Sequence, residues 1–183
     1  IVGVSIPQRK GDPLFINEDE EYKNVKFEKI PQLRAAFSKN GTVTAANAST
    51  INDGASALIL ASADAVKKYD LKPIAKILSF ADTAQAPQWF TTAPTKAAPK
   101  ALKLAKMTTN DVDFFEINEA FSVVPLAFNK ILDINIDKVN VHGGAVSLGH
   151  PLGASGARIV TTLNTVLQSK DASIGCAVIC NGG

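Results

Sequence analysis

Val112-Asp113-Phe114-Phe115-Glu116-Ile117 is a short apolar run that passes through Asn118 into a stretch of helical spacing, Glu119 to Leu132. Pro125 is a misfit inside that stretch and demands either a kink or a late helix start. The same strand-to-helix step recurs on both sides. Upstream, residues 74–81 read as a strand, and residues 93–106 as an Ala- and Lys-rich helix opening near Pro94, which Pro99 should kink or delay. Downstream, 138–141 is extended and 156–168 is amphipathic, with Ile159, Leu163, Val166 and Leu167 on one face. Residues 173–180 close as an apolar strand. Strands alternating with helices predict a layered α/β domain.

The first forty residues are polar and irregular. Lys10-Gly11-Asp12-Pro13 signals a turn, Pro7 and Pro31 interrupt regular structure, and only a turn or two of helix is expected over 31–37. The stretch reads as a surface excursion. Residues 42–46 are short and β-prone, and Asn52-Asp53-Gly54 punctuates them. Residues 55–69 then predict a helix, with Leu58, Ile59, Ala65, Val66 and Tyr69 at helical spacing and a small, apolar first half expected to be buried. A new unit opens at Leu71-Lys72-Pro73.

With 183 residues, 46% of them hydrophobic, the chain can bury a sizeable core. The net charge is +2 and the basic residues are scattered, with no aromatic-basic stripe, which argues against nucleic acid as a partner. No apolar run approaches the ~18 residues of a membrane span. Cys176 and Cys180, four apart on an extended segment, would hold their Cα atoms about 13 Å apart, too far for a disulfide. Two cysteines and two histidines without metal spacing also argue against structural zinc. Reduced thiols in a reducing compartment, cytoplasmic or mitochondrial, are the expectation.

Chemistry concentrates toward the C-terminus. His150 lies within Gly143-Gly144-Ala145-Val146-Ser147-Leu148-Gly149-His150-Pro151-Leu152-Gly153-Ala154-Ser155-Gly156. Glycines on both sides allow a sharp bend and a close ligand, Pro151 keeps His150 extended, and the following helix turns its positive end toward the imidazole. That environment favours a neutral base near physiological pH. The loop has neither a Gly-Lys-Ser/Thr ending nor a Gly-x-Gly-x-x-Gly pattern, so it is not a phosphate cradle. Cys180 ends a strand before Asn181-Gly182-Gly183, a place open to a packing thiol or a reactive one, whereas Cys176 in mid-strand reads as packing. Asn118, between strand and helix, would ordinarily cap the helix. His142 is incidental.

These motifs, with Asn118-Glu119-Ala120-Phe121 and Thr42-Val43-Thr44-Ala45-Ala46-Asn47-Ala48-Ser49, resemble the thiolase family over essentially the whole chain, and its acetoacetyl-CoA type in particular. The resemblance implies a thiolase-like layered αβαβα fold present as its C-terminal half. Residues 1–51 would end the loop domain, 52–71 would be a helix returning to the N-terminal half, and 72–183 would be the C-terminal domain without its last strand. It implies thiolytic cleavage of acetoacetyl-CoA and the reverse Claisen condensation of two acetyl-CoA. The acyl-accepting cysteine would lie in the missing N-terminal half of the same enzyme, so this chain alone is expected to be inactive.

By the same resemblance, His150 activates that cysteine, Cys180 exchanges the α-proton, and Asn118 holds a water against the developing oxyanion. Phe37, Ala45, Ser49, Ala120, Phe121 and Gly182 would contact the CoA substrate. No cofactor is required, although main-chain oxygens of Ala45, Ala46, Ala48 and Val146 match positions that hold a potassium ion in some members. A homo-oligomer, a tetramer before a dimer, is implied. The alternatives are a broader 3-ketoacyl-CoA thiolase of fatty-acid β-oxidation and a non-catalytic CoA-binding or structural chain.

Overall fold

The computed structural model describes residues 2–181, so Gly182 lies outside the described residues. The chain divides into two compact units, Ile1–Leu33 and Arg34–Gly183. The first holds an antiparallel hairpin of β1 (Val4–Ile6) and β2 (Leu14–Ile16), with Val4 opposite Ile16 and Ile6 opposite Leu14. Gly11 takes φ +85° in the connecting loop, a left-handed turn that glycine enters without Cβ strain. Two 3₁₀ turns follow, Glu21–Asn24 and Phe27–Gln32, and Glu18 pairs with Lys23 at 2.5 Å. The irregular segment of the sequence reading therefore contains a hairpin. The helical turn expected over 31–37 sits earlier, with Pro31 inside it.

The second unit is organised on two parallel strands, β3 (Phe114–Ile117) and β4 (Gly175–Val178), paired Phe114 to Gly175 and Ile117 to Val178. Between them run α3 (Val123–Leu132), the single turn α4 (Ala145–Leu148) and α5 (Ser155–Ser169). The period-2 alternation of β3 sends its side chains to two layers. Phe115 and Ile117 join a core with Val124 and Phe128 of α3 and with Ala98 and Leu102 of α2 (Pro94–Leu104). Phe115 and Phe128 meet edge to face at 5.6 Å between centroids. Glu116 points the other way, to Arg158 of α5, and α5 packs against both strands. Helices thus cover both faces of a parallel pair, the layered α/β arrangement that the sequence predicts.

Pro125 is accommodated by the later of its two options. Helix α3 starts at Val123, so Pro125 falls in the first turn, where a missing N–H leaves no helical bond unmade. Pro99 neither delays nor ends α2.

Four expected elements do not form as read. Residues 42–46 hold no strand, and residues 138–141 are not extended throughout, because Lys138 ends a 3₁₀ turn and Asn140 takes φ +48°. The other two are 55–69 and 74–81. Of residues 55–69 only α1 (Ala63–Lys68) is helical, opened by the Ser62 Oγ, which accepts the Ala65 N–H at 3.1 Å. Residues before it are exposed, Ile59 at 96%. Helical spacing does not hold a short helix without a surface to bury it on. Residues 74–81 form no strand, and Ile74, Ile77, Leu78 and Phe80 are exposed, because a strand needs a neighbouring edge to pair with. Among the described residues no helix is long and apolar enough to cross a membrane.

Candidate active site

The candidate residues gather where β3 and β4 end. In a parallel pair both strands run the same way, so the residues that follow each strand emerge at one edge. Asn118 follows β3 directly, and its N–H donates to the Val178 carbonyl at 2.8 Å, which extends the ladder by one bond. Cys180 lies two residues past β4 and is buried. Asn118 is not a helix cap, since α3 begins only after Ser122. Its side chain is fully buried and its Nδ2 lies 3.3 Å from His150 Nε2. Its Oδ1 is buried without a protein partner among the described residues, a costly state for an amide oxygen unless something else meets it.

His150 is held from three sides. Its N–H donates to the Thr50 carbonyl at 2.9 Å, and Asn52 Oδ1 lies 3.3 Å from the same nitrogen. Its Nδ1 is 2.6 Å from the Oγ of Ser155, the first residue of α5. Gly149 immediately before it has φ +91°, and a Cβ there would lie 2.4 Å from Asn52 Oδ1, so the bend requires glycine twice over. Burial, and secondarily the Arg158 charge, push the imidazole below its ordinary value. The start of α5 beside Nδ1 adds a positive dipole end in the same sense. The ring is therefore a neutral base at physiological pH.

The loop that carries His150 is fastened by Glu119. Its carboxylate accepts Asn140 Nδ2–H at 2.9 Å and the Val146 N–H at 3.1 Å. Asn140 in turn spans the backbone of Ile117, accepting its N–H at 2.7 Å and donating to its carbonyl at 2.8 Å. The segment 47–50 docks on the same strand end. Ser49 donates to the Ala120 carbonyl through its N–H at 3.1 Å and through Oγ at 3.0 Å, and Ala48 bridges Phe121. Phe121 meets Phe37 edge to face at 5.3 Å and Phe90 at 6.3 Å. Phe37 and Ala45 are exposed, while Ser49, Ala120 and Phe121 are half-buried, leaving one side of each open to a ligand.

Beneath the edge, Glu116 is buried against Arg158 at 3.0 Å. Burial raises its carboxyl to about 7 against the opposing pull of the guanidinium. Burial also raises both thiols, Cys176 to about 11, as suits packing, while the Cys180 thiol is held protonated at neutral pH. Both cysteines are free. No group of three or more His, Cys, Asp or Glu is placed to hold a metal among the described residues. The sequence reading did not single out Ser155, Asn140, Asn52, Arg158 or Phe90. Of these, Ser155 and Arg158 sit in or beside the His150 motif and Asn52 opens the Asn52-Asp53-Gly54 turn, while Asn140 and Phe90 lie in no motif that was read.

Residues 71–183 match the model of the thiolase C-terminal domain, and residues 1–64 that of the thiolase N-terminal domain. An acetyl-CoA acetyltransferase of Schizosaccharomyces pombe is 55% identical over 184 residues, covering 100% of this chain and 47% of the relative. The crystal structure of the Bacillus anthracis acetyl-CoA acetyltransferase superposes with a TM-score of 0.88 at 38% identity, covering 100% of this chain and 46% of that one. A thiolase of Ascaris suum, solved in complex with coenzyme A, superposes at 0.81 with 49% identity over 92% of this chain and 44% of its own. The chain spans less than half the length of these proteins. With matching models along nearly its whole length and this fold, the chain belongs to the thiolase family.

Proposed function

We propose that this chain carries the C-terminal share of the active site of an acetyl-CoA acetyltransferase. The enzyme would cleave acetoacetyl-CoA with CoA and, in reverse, condense two acetyl-CoA through an acyl-cysteine. The observation that carries this reading is the meeting of the buried Asn118 and His150 side chains at the strand edge beyond which Cys180 lies. The names of the relatives favour the acetyl-CoA type over a broader 3-ketoacyl-CoA thiolase. In this reading residues 1–51 end the loop domain, 52–71 return to the N-terminal half, and 72–183 form most of the C-terminal domain.

In the cleavage direction a cysteine of the N-terminal half attacks the β-keto carbonyl, and His150 Nε2 takes its proton. The carbon–carbon bond then breaks to leave the enolate of acetyl-CoA. Cys180, kept as a thiol by burial, donates its proton to the α-carbon of that enolate. Free CoA then gives its thiol proton to the Cys180 thiolate and attacks the acyl-cysteine, and the departing cysteine regains the proton held on His150 Nε2. Each carbonyl oxygen gains charge on the way. The Asn118 amide, whose Oδ1 has no protein partner among the described residues, would hold a water that donates to that oxygen beside His150, an interaction typically worth about 2.7–4 kcal/mol.

Phe37, Ala45, Ser49, Ala120 and Phe121 flank the path of the pantetheine chain. Main-chain oxygens of Ala45, Ala46, Ala48 and Val146 are a donor type that suits potassium, and both segments dock on residues 119–121. The ion would order that loop. The parent enzyme would be a homo-oligomer, a tetramer before a dimer.

Two variants of the parent enzyme test the roles together. His150→Ala should slow acyl-enzyme formation from acetoacetyl-CoA by roughly 10²–10⁴-fold. Cys180→Ser should still accept the acyl group but lose deuterium exchange at the α-carbon of acetyl-CoA. Wild-type acylation in the first, or wild-type exchange in the second, would remove that residue from the mechanism. A series of 3-ketoacyl-CoA substrates separates the two specificities, with turnover expected to fall as the chain lengthens.

A further inference from the structure

We infer that Ser155 is a positioning residue that fixes the tautomer of His150, holding the ring proton on Nδ1 so that Nε2 is bare to accept a proton. The inference deepens the proposed function and rests on it for the kinetic part of its test.

Ser155 is fully buried, and its Oγ lies between two groups, His150 Nδ1 at 2.6 Å and the Pro151 carbonyl at 3.0 Å. A carbonyl oxygen can only accept, and a serine hydroxyl has one proton to give. If that proton goes to Pro151, the hydroxyl meets Nδ1 through a lone pair, and Nδ1 must carry the hydrogen. A neutral imidazole then has no proton on Nε2, which is the nitrogen that faces the Asn118 amide at 3.3 Å. The amide N–H donates to that bare nitrogen, so the line from Pro151 through Ser155 and His150 to Asn118 runs in one direction without a clash of donors. Chemistry points the same way. Nδ1 is shut against the first turn of α5, so Nε2 is the nitrogen able to receive a thiol proton. A partner on the far side of the ring, by fixing which nitrogen is protonated, decides whether the near side can act as a base.

The opposite polarity is a concrete rival. The Pro151 carbonyl also takes the N–H groups of Ala154 at 2.8 Å and Ser155 at 2.9 Å, so the hydroxyl proton has competition there. A hydroxyl turned instead toward Nδ1 would place the ring proton on Nε2.

The test uses the parent enzyme with ¹³C,¹⁵N-labelled histidine at pH 8, with carbon–nitrogen correlation spectra by solid-state NMR and the His150 signals assigned by their loss in His150→Ala. The wild type should show a protonated Nδ1 and a bare Nε2. Ser155→Ala should lose that preference and slow acylation roughly 10- to 100-fold, part of what a placed proton acceptor contributes, with little change in KM. Ser155→Thr, which restores a hydroxyl, should recover both. A wild-type proton on Nε2 overturns the inference even if neither Ser155 variant folds. So does Ser155→Ala keeping the Nδ1 proton and the wild-type rate. A wild-type parent that forms no acyl-enzyme would overturn the functional reading instead, and the tautomer would still be decided by the spectrum.

Discussion

Ile117 and Ile59 are the same residue in opposite circumstances. Ile117 ends β3 with none of its surface exposed, packed against α2 and α3, whereas Ile59 lies in an apolar stretch that forms no helix and is 96% exposed. Both were legible as apolar residues, Ile117 in a short apolar run and Ile59 at helical spacing. Only one found elements on both sides of it. Hydrophobic pattern states what a segment can bury, and the fold requires in addition a surface to receive it. The strand edge with Asn118 and His150 has that surface on two layers, while the large apolar side chains of residues 55–62 and 74–81 stay exposed, although Ser79 reaches the Ala101 carbonyl of α2.

The largest expected effect tests the buried side of this contrast. Ile117→Ala should lower the unfolding free energy by about 2–5 kcal/mol, read from the denaturant midpoint at unchanged slope. A loss below about 1 kcal/mol would mean that the β3 core is not closed in solution.

A smaller effect is expected from the loop glycines. A Cβ on Gly144 would lie 2.2 Å from the Glu119 carboxylate carbon, whereas nothing stands within 4 Å of a Cβ on Gly156 in α5. Gly144→Ala must displace the carboxylate that holds Asn140 and Val146, a loss of about 1–3 kcal/mol. Gly156→Ala should gain about 0.5–1 kcal/mol from helix propensity. Equal thermal shifts for the two would remove Glu119 as the fastening of the His150 loop.

Glu116 sharpens the contrast through pH. Its carboxyl is raised to about 7 in the folded chain against 4.5 when free. Below about pH 4.5 both states hold the proton and nothing is lost. As pH climbs toward 7 the unfolded chain releases it while the folded chain does not, so stability falls across that window and levels off above it. Glu116→Gln has no proton to release and should therefore gain on the wild type between pH 5 and 8, by up to about 2–3 kcal/mol. Parallel pH–stability curves would show that Arg158 keeps Glu116 ionised throughout.

Part of the site's local geometry was readable, since a histidine between glycines and before a proline needs a bend. Asn118, by contrast, read from its residues alone as a helix cap and entered the site only through the resemblance. Ser155 was not readable, because a serine at a helix start ordinarily caps it, and its role depends on the turn that folds Pro151 beneath the imidazole. Phe90 was missed for a similar reason, since only the tertiary fold brings it to Phe121. The hairpin Val4–Ile16 escaped because three-residue strands are too short to show alternation. The over-read helix at 55–69 is the converse case. Its spacing was right, and what it lacked was a neighbour, which spacing does not reveal.

The smallest effect therefore carries the other half of the comparison. Ile59→Ala in this polypeptide should change stability by no more than about 0.5 kcal/mol, because an exposed side chain loses no contact on truncation. A cost above about 1 kcal/mol would mean that the segment is buried in solution and that the contrast with Ile117 is false. The same substitution in the full-length enzyme proposed above would then measure the receiving surface itself. Any cost that appears there and not here, at an unchanged denaturant slope, is the burial that the rest of the protein supplies to Ile59.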